Sequence, residues 1–420
     1  MAMDSYLTRK LLLASAFAYF SAILILVINQ YWVNYSASDG IVLANGENVG
    51  GDFPIFYVAG KLYNNSRSEL YNYSLQLEEL RSIFRGTSQS EHSLVFIYPP
   101  PVALMFSAFS SLSLLEAFLA WAFLSLLVFA LASLIVIRRS QLTFFQGFLV
   151  ILYGLSFIPF IFDCLGAGQL AVIGFLIFSL VFYARTIKNE WLEGIVLGFG
   201  FYKPPLFLFF GLLALYERRW RCVIGATATL SVLIFLSLVC LGYSDLQNYF
   251  VLASNYRYGN ELTSNLSLPP FRGVGLYALL TQWIGSKFII NGLFISLLFL
   301  TLEVMRRTKR RLSSDNSTLQ SLAFSAEVSL SVLFSIQCIS YDLTMLLPVL
   351  YIVSAQLLRR TITVSKGLLF SCLVLFQVEW LLRTTYEDVE YSPITPFLLI
   401  ILVISLIFVA KSEHKNLNPA

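Results

Sequence analysis

What most constrains this chain is a succession of long apolar runs, nearly all closed at one end by a basic cluster. The first follows Arg9-Lys10 and reads "LLLASAFAYFSAILILVIN", 19 residues, which suffices to cross a hydrocarbon layer of about 30 Å. Further runs lie near 114–137, 142–160, 169–184, 191–202, 204–216, 222–241, 288–305, 319–338, 341–357, 365–383 and 393–410. With 57% hydrophobic residues, 12% charged residues and a mean hydropathy of +0.75, there is too little polar surface to coat a soluble globule. The expected fold is therefore an all-α integral membrane protein. The first run has no clean cleavage site behind it and is read as a retained helix.

Basic clusters fix the orientation of such a chain, because they favour the cytoplasmic side. They are Arg9-Lys10, Arg138-Arg139, Arg185 with Lys188, "RRWR" at 218–221, "RRTKRR" at 306–311, Arg359-Arg360 with Lys366, and Lys411 with Lys415. Twelve passes put every cluster and both termini inside, if 100–113 and 273–285 do not cross. Those two stretches suit interfacial or re-entrant helices, so eleven to thirteen passes are expected. A single polytopic domain then spans 1–410, with outer loops at about 30–99 and 242–272 and a cytoplasmic tail at 411–420. In the first loop, "RSELYNYSLQLEELRSIF" repeats Leu70, Tyr73, Leu77, Leu80 and Phe84 at helical spacing. An amphipathic helix lying on the outer surface follows from that pattern.

Several chemistries are disfavoured. The five cysteines form no CxxC pair, and His92 and His414 are the two histidines. Neither a disulfide framework nor a metal site is expected. P-loop, GxSxG and HExxH patterns do not occur, which argues against ATP hydrolysis, lipase and protease chemistry. The acids of "YEDVE" at 386–390 read as solvated loop residues.

Ionisable residues at membrane depth are the sharper signals. Lys203 lies in "FGFYKPPLFLFF", inside an apolar run flanked on both sides by basic residues, Lys188 and Arg218. One pass would put one flank outside. Two short arms of about 12 residues, reaching about 18 Å each, resolve the conflict as a hairpin with "KPP" at its apex, lining a water-filled cavity. A lysine there calls for an anion, and a lipid phosphate suits it. By the same parity the outward face carries Asp52 in "GENVGGDFPIFYVAG", Tyr98 in "FIYPPPVALMF", Gln169 in "GAGQLAVIG", Arg272 in "NLSLPPFRGVG", and Tyr341 and Asp342 in "SIQCISYDLTMLLP". Asp52 by itself reads as a solvated loop carboxylate. Beside cations and a phosphate-linked donor it suits a general base. The adjacent Phe53, Phe56 and Tyr57 are expected at the lipid interface.

The order of "GGDFPIFYVAGKLY", "LY" at Leu70-Tyr71, "YPP", "GAGQ", "KPP" before "RRW", and "YDL" resembles glycosyltransferase family 87, the polyprenyl-phosphate-mannose-dependent mannosyltransferases of the GT-C superfamily. The resemblance spans about 50 to 350 and implies a GT-C-type bundle with outward juxtamembrane helices. It also implies inverting, metal-independent hexose transfer, most simply of mannose, from a polyprenyl-phosphate sugar to a glycolipid or glycan at the outer face of the cell membrane. No cofactor or nucleic acid takes part. Carried onto this chain, the general base is Asp52. The family's lysine before proline falls on Lys203, its glutamine on Gln169 and its late polar turn on Tyr341 and Asp342. With the reading of the residues themselves, Lys203, Arg272, Tyr98 and Gln169 are expected to face the donor phosphate and lipid, and Tyr57, Tyr341 and Asp342 the substrate. The chain departs at Ala171, where members often have Asn, and at "NLS" 265–267, where they often read "NQS". A secondary transporter or lipid-linked-sugar flippase is the alternative from another class, and a GT-C enzyme of another family is the third reading.

Overall fold

The computed structural model describes residues 2–85, 95–255, 273–311, 316–359 and 394–417. Among them the chain is helical, with a single isolated bridge between Val42 and Asn48 in place of any sheet. In chain order the helices are α1 (Ala2–Ser36), α2 (Phe53–Asn65), α3 (Tyr73–Ile83), α4 (Pro100–Ser107), α5 (Leu114–Arg139) and α6 (Phe144–Leu155). Next come α7 (Ala171–Thr186), α8 (Glu190–Gly198), α9 (Leu208–Tyr216), α10 (Trp220–Leu241) and α11 (Tyr243–Asn255). The series ends with α12 (Leu276–Trp283), α13 (Lys287–Arg311), α14 (Ser317–Leu333), α15 (Leu347–Arg359) and α16 (Ile394–Leu417).

By length and composition six described helical segments can cross a membrane, or seven if α6 and the wide-turned segment Pro159–Gly166 form one span bent by 55°. Pro159 accounts for the bend, since it breaks the helical bond ladder. The other expected passes are shorter helices, such as the 16-residue α7 and the 9-residue α8 and α9, while the run near 365–383 lies outside the described residues. Cover by protein differs sharply between spans. The segment Ser340–Leu358 is 78% buried over its apolar window and forms the centre, whereas the window of α1 is 6% buried. Capping boxes, Ser113 with Glu116 and Thr143 with Gln146, set the starts of α5 and α6.

The long loop after α1 turns its apolar side inward. Leu70, Leu77, Leu80 and Phe84 of the predicted amphipathic stretch are buried against the protein, and Tyr73 is half-buried. Gln76 ties the stretch to residue 96: its amide donates to the Leu70 and Phe96 carbonyls, and its carbonyl accepts from Phe96 N at 2.6 Å. The lipid-interface position expected for Phe53, Phe56 and Tyr57 is corrected in the same way. All three are core residues, with Phe53 edge-on to Phe106 and Phe118 and Phe56 stacked on Phe106 at 4.9 Å. Buried rings of this size dominate core energetics. The short α4 supplies Phe106 to this cluster, in keeping with an interfacial rather than spanning role.

The predicted hairpin is present. Arg219, just past α9, bonds Glu190 and Glu193 at the start of α8, at 3.0 Å from Glu190 Oε1. The two ends of the segment therefore meet, and Lys203 lies at the turn between the short helical pieces Phe199–Tyr202 and Pro204–Leu206. At the base, Arg185 bridges the buried Glu193 and Glu327, and Lys309 joins Glu327 to Glu217. These ions line a cavity of about 920 Å³ together with Arg139, the last residue of α5. The other end of α5 packs on the Asp52 loop, so the 26 residues of that helix, about 39 Å of rise, separate the two places.

Candidate active site

Asp52 is the N-cap of α2, yet its carboxylate makes no capping bond to that helix. It reaches across instead. Gln169 Nε2 donates to Asp52 Oδ2 at 2.5 Å, and Tyr98 Oη donates to Gln169 Oε1 at 3.5 Å. The partners come from three separate stretches, brought together by two close-packed turns. Gly51 and Gly168 both have positive φ, +53° and +63°, where an L side chain is strained. A Cβ on Gly168 would lie 2.7 Å from Phe53 Cβ, and one on Gly51 3.0 Å from Ala167 Cβ. Trp121 Nε1 donates to the Gly168 carbonyl at 2.9 Å, and Gln169 N to the Cys164 carbonyl at 2.8 Å, which hold the second turn. Gly168→Ala is accordingly expected to cost about 1–3 kcal/mol, read as a lower thermal midpoint of the purified protein.

A second polar pair lies beside the first. Lys203 Nζ is 2.8 Å from Asp342 Oδ1 and 2.6 Å from Oδ2, and 4.6 Å from the Tyr341 ring centroid. Ile339 N donates to the same carboxylate at 2.9 Å. Lys203 is 9% exposed and Asp342 1%, so each serves as counter-ion to the other in a setting where an isolated charge is very costly. Met345 and the Tyr202 hydroxyl both abut Gly174, five residues beyond Gln169. Gly174 lies in the first turn of α7, which begins two residues after Gln169, so the two pairs are neighbours at the start of that helix. Thr344 Oγ1 donates to the Pro159 carbonyl at 3.2 Å and locks the late turn to the bent segment.

A carboxylate at a helix N-terminus, held by an amide, with a buried cation one layer away, is apparatus for moving a proton and handling an anion. The chain matches the model of glycosyltransferase family 87 over residues 96–335, more than half of its 420 residues. It belongs to glycosyltransferase family 87. No curated protein and no solved structure matches it.

This family 87 chain is thus a membrane glycosyltransferase acting on a sugar donor and an acceptor. The matched span contains Tyr98, Gln169 and Lys203, while Asp52, Tyr57, Tyr341 and Asp342 fall outside it and are joined to it by the contacts above. Two of the expected residues, Gln169 and Tyr57, have partners within the protein. Gln169, expected on the donor phosphate, is buried and holds Asp52. Tyr57, expected on the substrate, is 4% exposed with its hydroxyl donating to the Leu112 carbonyl at 2.7 Å. Arg272 lies outside the described residues.

Asp52 also borders an open cleft of about 600 Å³ between the end of α1, the loop at 43–48 and the Gly166-Ala167 turn. The sequence reading of this glycosyltransferase passed over that wall. The signal was there, since Gln30 with Asn34 and Tyr31 with Tyr35 are i,i+4 pairs on adjacent strips of one helix. The turn leading into the loop is held by Asp39, which accepts from Ile41 N at 2.9 Å and Val42 N at 2.7 Å. The Val42 bond, then the Ile41 bond, keep the Asp39 carboxyl below its ordinary range. That support is complete above the ordinary carboxylate value and fades as pH falls through the lowered one.

Proposed function

We propose that this family 87 enzyme transfers a hexose, with mannose as the first sugar to test, from a polyprenyl-phosphate donor to a glycolipid or glycan acceptor on the outer face of the cell membrane. The observation that carries the reading is the Asp52 carboxylate, oriented by Gln169 and open to the cleft. Asp52 accepts the proton of an acceptor hydroxyl. The freed oxygen attacks the anomeric carbon from the face opposite the phosphate, the bond from that carbon to the phosphate oxygen breaks, and the polyprenyl phosphate leaves with the bonding electrons. Inversion at the anomeric carbon follows from the single displacement. Lys203 is the group that offsets the charge growing on the phosphate, with Asp342 and Tyr341 holding its ammonium in place. In this scheme no metal takes part and both chain termini are cytoplasmic.

Purified protein incubated with radiolabelled polyprenyl-phosphate mannose and a cell-envelope lipid extract is expected to give a labelled glycolipid or glycan, equally with and without EDTA. Labelling that needs a nucleotide sugar in place of the lipid donor would overturn the donor assignment. Loss of product in EDTA would overturn the metal-independent scheme.

A further inference from the structure

The cleft beside Asp52 carries a further assignment, which rests on Asp52 being the base. We infer that it is the acceptor half of the site and that it is built for a neutral sugar, not for an anionic one.

Among the described residues the cleft is lined by two carboxylates, Asp52 and Glu47, and by no lysine, arginine or histidine. A phosphate or a uronic acid brought there would face like charge with no cation among the described lining residues to offset it, and such juxtaposition is costly. The cation that suits a phosphate, Lys203, lies elsewhere, against Asp342. Donor and acceptor halves are thus separated by their electrostatics, with Asp52 on the boundary.

Chemistry of the walls narrows the ligand further. Gln30, Asn34 and Asn45 present side-chain amides, each able both to donate and to accept. Among the described residues neither the Gln30 nor the Asn34 amide is taken up by another protein group. Asn45 Nδ2 donates to Glu47 Oε2 at 3.0 Å, which holds the carboxylate at the rim as an acceptor for hydroxyls. Tyr31 and Tyr35 add ring surface on the same wall, their centroids 6.0 Å apart. Tyr31 is pinned by its hydroxyl to the Ile161 carbonyl at 2.8 Å, and the Tyr35 hydroxyl accepts from Gly50 N. Amides and carboxylates beside fixed rings complement a pyranose, which has an edge of hydroxyls and a face of C–H bonds. An acyl chain would leave the amides unmatched, at a cost for every buried polar group left so. The volume, about 600 Å³, takes one to two sugar rings.

The test uses the full-length protein in lipid nanodiscs and three soluble probes: methyl α-D-mannopyranoside, methyl β-D-glucopyranoside and methyl β-D-glucuronide. Saturation-transfer NMR reads binding without turnover. The two neutral glycosides are expected to receive saturation on their ring protons, with the glucuronide bound about tenfold more weakly. Asn34→Ala is expected to weaken the neutral probes about fivefold, and Glu47→Gln to close the gap to the glucuronide. Equal binding of all three probes, or neutral binding that neither variant alters, would sink the inference. Asp52→Asn separates this result from the reading beneath it. A variant that binds the neutral probes and transfers nothing supports both, whereas one that still transfers removes Asp52 as base, and with it the acceptor assignment of the cleft.

Discussion

Exchange of Asp52 for asparagine is expected to cut sugar transfer by about 10²–10⁴-fold, the usual contribution of a positioned general base, with the folded protein retained. The substitution preserves size and replaces one acceptor by an amide. Gln169 can turn its own amide to meet it, so the 2.5 Å contact is replaced rather than lost. The thermal midpoint therefore stays close to that of the parent, while turnover with lipid-linked mannose collapses. Gln169→Ala provides the companion measurement. Gln169 touches Asp52 and not the reacting atoms in this scheme, so its loss is expected to lower kcat by about tenfold and leave the acceptor KM unchanged. A variant at Asp52 that retains turnover would remove it from the mechanism.

The next largest effect belongs to the Lys203–Asp342 pair. Lys203→Met or Asp342→Leu alone leaves the other charge buried without its counter-ion, and such changes cost about 3–5 kcal/mol. The contacts at 2.6 and 2.8 Å and the near-complete burial of Asp342 put this pair in that class. Both changes together remove the orphaned charge, so the double variant is expected to recover much of the lost stability. It is not expected to recover activity: the donor KM rises with the lysine gone, while acceptor binding holds. Unfolding midpoints for the four members of the cycle, with donor KM for the stable ones, separate the two roles. An unaltered donor KM in a stable double variant would reduce Lys203 to a structural residue.

How much of this was legible beforehand depends on the kind of signal. The hairpin was, because two basic flanks around one apolar run pose a problem that only a return turn solves, and Arg219 on Glu190 is that return. Family membership was legible in the order of short motifs, and the model match agrees with it. Pairings were not. Asp52 and Gln169 are 117 positions apart, and Lys203 and Asp342 139 apart. Each residue stood out alone, but the first pair is joined by the nesting of Gly51 on Ala167 and of Gly168 on Phe53, and the second lies where Tyr202 and Met345 meet at Gly174, which no period or motif encodes. Nor could the apolar residues say what they face. Lipid tails are as apolar as a protein interior, so Phe53, Phe56 and the stripe of α3 read equally well as membrane contacts. That α2 is enclosed by α3, α4 and α5 decides it.

The helix that walls the cleft is also the one least held by the rest of the molecule. The 35 residues of α1 rise about 52 Å, and its apolar window is 6% buried by protein, the lowest share among the six candidate spans. Its fixings near the cleft include the Tyr31 hydroxyl on the Ile161 carbonyl, the Tyr31 ring beside Phe162, the Tyr35 ring stacked on Phe118 at 5.6 Å, and bonds from Gly50 N to the Tyr35 hydroxyl and from Ala44 N to the Asn34 carbonyl. Its tilt is set by these contacts together with the fit of its apolar length to the bilayer. A tilt of α1 moves Gln30 and Asn34 relative to Asp52, which is anchored in the core-bound α2. A bilayer thin or thick enough to loosen those contacts is therefore expected to alter the span between base and wall, read as a change in acceptor KM between nanodiscs of different lipid length.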